Sequence, residues 1–187
     1  MPDLHFIPEP SLIERRHGSL PLTAATRLLV APDASPESRF AAGDLAAAIQ
    51  RVTGLTPPIE TTPEETDNAI RLALGPTGQG PEGYVLEIGA GGGAITAEGE
   101  AGLFYGVQTL IQALETKGRV LPALRIEDRP VLAYRGLMLD VSRGRVPRLD
   151  YLKRVAAFLA HYKINQFQLY VEHTFVLSRH ADFAESI

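Results

Sequence analysis

The sequence predicts an α+β fold, in which a sheet has two helices on one face and is followed by a single strand–helix–strand unit. Two segments with helical spacing of apolar residues lie among short apolar strands in the larger, N-terminal part of the chain. A glycine-rich turn joins two alternating segments, which is typical of a β-hairpin. Towards the C-terminus, two apolar runs flank a third amphipathic helix, as in parallel α/β units.

The first elements are extended segments followed by a helix. Residues 4–7 and 11–15 are short runs separated by prolines, and we expect edge strands or extended backbone there. Residues 27–31 (RLLVA) predict a strand. Ser35 is a candidate N-cap with proline at the next position, and the helix that it begins is expected to stop at Gly54.

The middle of the chain predicts a loop, a buried strand and a hairpin. Residues 56–68 are polar and rich in proline, and residues 69–74 (AIRLAL) follow as an apolar strand. Residues 83–88 and 94–98 alternate in polarity on either side of the glycines at 89–93. We expect these glycines to form the hairpin turn with positive φ.

The same glycines invite comparison with a phosphate-binding loop, as do those at residues 75–80. Neither segment contains the Lys-Ser/Thr pair of a P-loop, and neither lies between the strand and the helix of a Rossmann unit. Nucleotide binding is therefore not expected.

The clearest amphipathic helix spans residues 101–116, with Gly118 as its stop signal and a strand predicted at 120–126. The best domain boundary follows at the charged tetrapeptide 127–130, which ends in proline. We therefore predict two domains, residues 1–129 and residues 130–187.

The second predicted domain is a strand–helix–strand unit. Residues 136–141 (GLMLDV) and 164–171 (INQFQLYV) are apolar runs typical of strands buried on both faces, and Pro147 begins the helix between them. Such a unit has unpaired edges and cannot close its own core, so we expect it to be part, or a shortened relative, of something longer.

Composition excludes several classes of function. The 187 residues contain no cysteine, which excludes disulfides, thiolate metal sites and a cysteine nucleophile. The net charge of -4 argues against a nucleic-acid binder, and no apolar run is long enough to span a membrane. Five scattered histidines show no helical pairing, so neither a metal nor a cofactor is expected. No signal peptide is expected in this chain, which leaves periplasmic, secreted and cytoplasmic locations open.

The candidate functional residues lie at the carboxyl ends of the two predicted strands of the second domain, where parallel sheets place their sites. They are Asp140, Ser142, Arg143, Arg145, Glu172 and His173. An arginine at such an edge can donate two hydrogen bonds to neighbouring hydroxyls, and a carboxylate with a histidine can bind a sugar or transfer a proton. The alternative is that Arg143 and Glu172 simply pair with each other or with solvent.

Two stretches of the sequence resemble a known family. The phrase AGLFYGVQTL at 101–110 resembles the non-catalytic α+β domain that precedes the barrel in family 20 glycoside hydrolases, and the similar domain of family 84 enzymes. The phrase YRGLMLDVSR at 134–143 resembles the first strand of the family 20 barrel and favours family 20. The resemblance implies that residues 130–187 begin an incomplete (β/α)8 barrel.

The resemblance also implies an activity, that of a retaining β-N-acetylhexosaminidase. Such enzymes remove terminal N-acetylglucosamine or N-acetylgalactosamine from glycans, with the substrate's own acetamido oxygen as the nucleophile. The catalytic Asp-Glu pair of the family lies on a later barrel strand. A closed barrel needs roughly 250 residues, so we expect that pair to be absent from this chain and the chain alone to be inactive.

Some individual residues match the family pattern closely, and others lie where the sequence departs from it. Arg143 matches the arginine that holds the outer hydroxyls of the terminal sugar, whereas Arg135 matches a structural arginine at the start of the strand. Asp140 matches a recurrent aspartate with a packing or supporting role. Glu172 and His173 are weaker candidates for substrate binding, because the text around them departs from the commonest family pattern.

Two alternatives remain at this point. The chain could be a non-catalytic module that binds a glycan or a partner, or it could be part of a family 84-like N-acetylglucosaminidase. The sequence leaves the hexosamine, the linkage and the oligomeric state open.

Overall fold

The computed structural model describes residues 4–62 and 67–172. The chain divides into two compact units, Met1–Val131 and Leu132–Ile187, called here the first and second unit. The described part has the predicted α+β character, with a mixed sheet and three helices. None of these helices combines the length and the apolar character that a membrane span requires.

The first unit is built on a seven-stranded sheet with the order β1-β7-β5-β6-β4-β2-β3. Its strands are β1 Leu12–Pro21, β2 Arg27–Val30, β3 Ile59–Thr61, β4 Ala69–Leu74, β5 Tyr84–Gly89, β6 Gly92–Ala97 and β7 Val120–Asp128. Strands β1, β7, β5 and β6 pair antiparallel, and the pairs that join β6, β4, β2 and β3 are parallel.

Two helices of this unit, α1 Pro36–Thr53 and α2 Glu100–Lys117, begin and end where the sequence signals lie. The hydroxyl of Ser35 accepts a hydrogen bond from the Ser38 N–H at 3.0 Å, and Gly54 ends α1 with φ 76°. The Glu100 carboxylate accepts hydrogen bonds from both serine hydroxyls, at 2.5 and 2.8 Å. These bonds fix the start of α2 against the start of α1.

The core of the first unit lies between these helices and the sheet, and it includes almost completely buried side chains from every layer, such as Leu45, Leu86 and Leu103. It also buries polar groups, among them the hydroxyl of Tyr84, which donates to Asp128 at 3.0 Å and lies 2.6 Å from the hydroxyl of Thr109. Burial raises the pKa of Tyr84 well above its usual value, and the charge of Asp128 raises the pKa further.

The second unit has the predicted strand–helix–strand order: β8 Gly136–Asp140, α3 Leu149–His161 and β9 Gln166–Tyr170, with the two strands paired in parallel. The expectation that these strands are buried on both faces is wrong for this structure. Leu137 is 43% exposed and Met138 is 59% exposed. The two strands and one helix that residues 132–172 form offer too few neighbours to cover both faces.

Three details of the first unit differ from the sequence predictions. Strand β1 continues to Pro21, and the short edge strand β3 lies inside the predicted loop. The glycines at 89–93 do form the hairpin, but none of them has positive φ. A Cβ atom on Gly92 would lie 2.5 Å from the carbonyl oxygen of Ala69, so this glycine is required by the close approach of β6 to β4.

The predicted boundary tetrapeptide is also partly structured. Glu127 and Asp128 belong to β7, and Asp128 is buried. The hydroxyl of Ser11 and that of Tyr84 both donate hydrogen bonds to its carboxylate. A charged residue that looks like part of a linker is therefore held in the first unit by two hydroxyl groups.

Candidate functional site at the carboxyl ends of strands β8 and β9

The parallel pairing of β8 and β9 brings the two predicted site segments together. Asp140 lies opposite Tyr170, and the Val141 N–H donates to the Tyr170 carbonyl at 3.1 Å. Beyond the strands, the Glu172 N–H donates to the Ser142 hydroxyl oxygen at 2.6 Å. The two loops are thus joined by backbone and side-chain hydrogen bonds.

Asp140 fixes the orientation of Arg143. Its Oδ2 accepts from Nε of Arg143 at 2.6 Å and lies 2.5 Å from Nη2. Its Oδ1 accepts the backbone N–H groups of Ser142 and Arg143, at 2.9 and 3.1 Å. These donors, the Ser142 N–H foremost, lower the pKa of Asp140 below its usual value, while Asp140 raises the pKa of Arg143. The carboxylate therefore holds the guanidinium of Arg143 in place.

The aromatic ring of Tyr170 forms a second support for Arg143. The guanidinium carbon lies 5.2 Å from the centre of the ring, within the range of a cation–π contact. The Tyr170 hydroxyl donates to Glu172 at 2.8 Å, and this hydrogen bond is the main cause of a raised pKa of Tyr170. The side chain of Arg143 is nevertheless 68% exposed, so its remaining N–H groups face solvent.

The structure separates the sequence candidates. Arg143 pairs with Asp140, and Glu172 is bound to Tyr170, so a simple ion pair between Arg143 and Glu172 is not what the structure shows. His173 lies outside the described residues. Sequence reasoning missed Tyr170, although its place at the end of a strand beside Glu172 was a usable signal.

Arg135 lies at the opposite, amino end of β8. Its guanidinium donates to the carbonyl of Lys163 at 2.8 Å and to that of Leu132 at 2.5 Å. Its own carbonyl accepts the N–H groups of Asn165 and Gln166. These contacts hold the start of β9 against the start of β8, which is a structural role.

The geometry of this edge offers hydrogen-bond donors to a ligand. A fixed, exposed guanidinium can donate a pair of hydrogen bonds to neighbouring hydroxyls or to an anion. A group of three or more histidine, aspartate or glutamate side chains able to hold a metal ion is absent from residues 4–62 and 67–172.

Comparison with known proteins gives a consistent result. The family model described as glycosyl hydrolase family 20, domain 2, matches residues 3–129. The beta-N-acetylhexosaminidase of Cellulomonas fimi is 38% identical over 91% of this chain and 35% of its own length. A beta-hexosaminidase of Porphyromonas gingivalis is 32% identical over 88% of this chain and 22% of its own length.

Solved structures agree with these relatives. The beta-N-acetylhexosaminidase of Streptomyces coelicolor superposes with a TM-score of 0.77 at 35% identity, covering 89% of this chain and 34% of that one. A mutant beta-hexosaminidase of Streptomyces plicatus, in complex with the product N-acetylglucosamine, gives a TM-score of 0.73 at 34% identity, covering 89% of this chain and 34% of that one. The chain spans about a third or less of the length of these relatives.

Proposed function

The chain belongs to glycosyl hydrolase family 20, and from this membership we propose that it is the N-terminal part of a retaining, substrate-assisted β-N-acetylhexosaminidase. The enzyme would remove terminal N-acetylglucosamine or N-acetylgalactosamine from glycans. The observation that carries the proposal is 38% identity over 91% of the chain to a beta-N-acetylhexosaminidase. The hydrolase relatives do not favour the non-catalytic module or the family 84-like enzyme.

The proposal assigns a role to each part of the chain. Residues 1–129 form the non-catalytic α+β domain, and residues 130–187 begin the (β/α)8 catalytic barrel, with β8 and β9 as its first two strands. The parallel pairing of these strands across α3 and the apolar side chains that they expose support this assignment.

In this proposal Arg143 is the substrate-binding residue. Asp140 and Tyr170 hold its guanidinium, and the exposed N–H groups donate to two hydroxyls of the terminal sugar. Glu172 and, outside the described residues, His173 are weaker candidates for further sugar contacts. The acetamido oxygen of the substrate attacks the anomeric carbon, and an aspartate and a glutamate from later strands orient it and protonate the leaving oxygen. On this view the 187-residue chain alone is inactive.

The test is an assay of the full-length gene product on 4-nitrophenyl N-acetyl-β-glucosaminide. We expect hydrolysis by the wild type, and we expect Arg143→Ala to lower kcat/KM by about 100-fold, because charged hydrogen bonds contribute about 1.5–3 kcal/mol each. Arg143→Lys keeps the charge without the fork and should recover only part of that loss.

Arg39→Ala is the matched control, since it removes an exposed arginine of α1 and should leave kcat/KM unchanged. A folded full-length protein that releases no nitrophenol would overturn the proposed activity. Equal rates for the Arg143→Ala and Arg39→Ala variants would instead overturn only the role of Arg143.

A further inference from the structure

A cleft of about 530 Å³ in the second unit is lined by Arg143 and by further arginines. Sugar hydroxyls are neutral, so binding them does not require this excess of positive charge. Its charged lining residues are Asp140, Arg143, Arg145, Arg148, Asp150 and Arg154. Four arginines against two aspartates leave a formal charge of +2 around one small volume. The chain as a whole has a net charge of -4, so this local excess opposes the general composition.

The pairing of these charges shows which arginines are available. Asp140 is bound to Arg143, and Asp150 lies 3.2 Å from Nε of Arg148. Arg145 and Arg154 have no carboxylate partner among residues 4–62 and 67–172. The guanidinium carbon of Arg154 lies 6.0 Å from the centre of the Tyr151 ring, and that contact leaves the N–H groups of Arg154 available.

The sequence at the start of α3 makes the excess of positive charge more unusual. Arg148 occupies the N-cap position, and no side chain there accepts a hydrogen bond from the first turn. Arginine cannot act as a cap, and a cation beside the positive end of a helix is unfavourable. Helix α1, by contrast, has the side chain of Ser35 as its cap, although both helices have an acidic residue in the first turn, Glu37 in α1 and Asp150 in α3. A local pattern that works against folding is expected where a site needs it.

We propose that Arg145 and Arg154 form an oxyanion subsite that accepts a sulfate or phosphate ester on the terminal sugar held by Arg143. The assignment to a sugar rests on the proposed function. Arg145 is two residues from Arg143 on the same loop and lines the same cleft, so a single saccharide can reach both guanidinium groups. The fork of N–H groups on arginine matches the oxygens of a sulfate or phosphate group.

The first experiment measures the anion subsite without reference to catalysis. Isothermal titration of the full-length protein with sodium sulfate, at ionic strength held constant with chloride, is expected to show saturable binding. The double variant Arg145→Ala/Arg154→Ala should weaken that binding by about tenfold or more. Lys153→Ala is the matched control, because it removes an exposed cation of α3 that does not line the cleft.

The second experiment connects the subsite to the substrate. It compares kcat/KM for 4-nitrophenyl N-acetyl-β-glucosaminide with kcat/KM for its 6-O-sulfated and 6-O-phosphorylated forms. The ratio of charged to neutral substrate should fall about tenfold in the double variant and stay unchanged in Lys153→Ala. Replacing both arginines by lysine should restore part of the ratio, because the charge returns without the fork.

The outcomes separate the two proposals. If no saturable sulfate binding is observed, or if the double variant binds as the wild type does, the subsite is overturned. Sulfate binding that the double variant loses, with unchanged substrate ratios, would indicate a site for a free anion only and would overturn the assignment to the sugar. Failure to hydrolyse the neutral substrate would overturn the proposed activity, while the titration would still decide the subsite.

Discussion

Strand β5 of the first unit and strand β8 of the second unit both carry apolar side chains, but the two strands differ in what covers them. Leu86 of β5 is completely buried, whereas Leu137 of β8 is 43% exposed. Strand β5 has a hydrogen-bonded neighbour on each side and a helix against one face. Within residues 4–62 and 67–172, strand β8 has the single hydrogen-bonded neighbour β9. An apolar run therefore creates a core only where enough other elements are present to cover it.

The polar contacts of the candidate site form without additional helices or strands packed over them. Asp140 reaches Arg143 within one turn of loop, and Ser142 reaches Glu172 across one strand pair. Because these contacts are local, the site geometry is established by two strands and their loops. The comparison between the units thus separates burial, which needs many elements, from recognition chemistry, which here needs few.

The largest expected difference concerns deletion of an apolar side chain in each unit. Leu86→Ala should lower the free energy of unfolding by about 2–5 kcal/mol, because it leaves a cavity in a packed core. Leu137→Ala should lower it by about 1 kcal/mol or less, since much of that side chain is already in water. Urea denaturation of the 187-residue chain measures both. Equal losses of unfolding free energy in the two variants would show that β8 is buried in solution. The difference in burial between β5 and β8 would then not hold.

A second pair of variants compares tyrosine hydroxyls. Tyr84→Phe should lower the free energy of unfolding by about 2 kcal/mol, because it removes the hydroxyl that donates to Oδ2 of the buried Asp128. Tyr170→Phe should cause no measurable change, since its partner Glu172 is exposed to water. Denaturation of the two variants beside the wild type gives the comparison, and a larger loss for Tyr170→Phe would reverse it.

The same pair predicts a dependence on pH. The pKa of Tyr84 in the folded chain lies above the ordinary value of 10.0, so the folded state retains this proton when the unfolded state loses it. The stability due to the neutral hydroxyl is complete below about pH 10 and is lost as the pH rises above it. Tyr84→Phe should therefore lose less stability than the wild type between neutral and strongly alkaline pH.

The smallest expected effects come from two glycines in the helices of the first unit. A Cβ atom on Gly106 of α2 would lie 2.5 Å from Cγ2 of Ile95, whereas one on Gly43 of α1 would meet nothing within 4 Å. Gly106→Ala should lower the free energy of unfolding by about 1 kcal/mol, and Gly43→Ala should raise it by up to about 1 kcal/mol. Thermal unfolding of the two variants would show opposite shifts of Tm. Shifts of the same sign would mean that α2 is not packed closely on the sheet.

Local signals predicted the elements well. Ser35 and Gly54 marked both ends of α1, because capping chemistry is confined to a few neighbouring residues. The hairpin of β5 and β6 was also correct, but the reason given for its glycines was wrong. The positive φ expected there is absent, and the requirement at Gly92 comes from β4, a strand that is not adjacent in sequence.

The sequence predicted where the candidate site lies, but it did not predict which side chain pairs with Arg143. Parallel strands end at one edge, so residues 140–143 and 170–172 could be expected to meet. The partner of Arg143 was not predictable, because Asp140 and Glu172 are both carboxylates within reach of that edge. The observed register of β8 and β9 joins Arg143 to Asp140 and places the ring of Tyr170 beside it.

By itself, the sequence determined the order of helices and strands, the absence of cysteine chemistry, and the phrases that resemble family 20. Those properties depend on residue type and on short-range spacing. Only the tertiary structure decided that Asp128 is buried, that Gly92 touches β4, and that the strands of the second unit remain exposed. Burial and close approach depend on which distant segments pack together, and no local pattern contains that information.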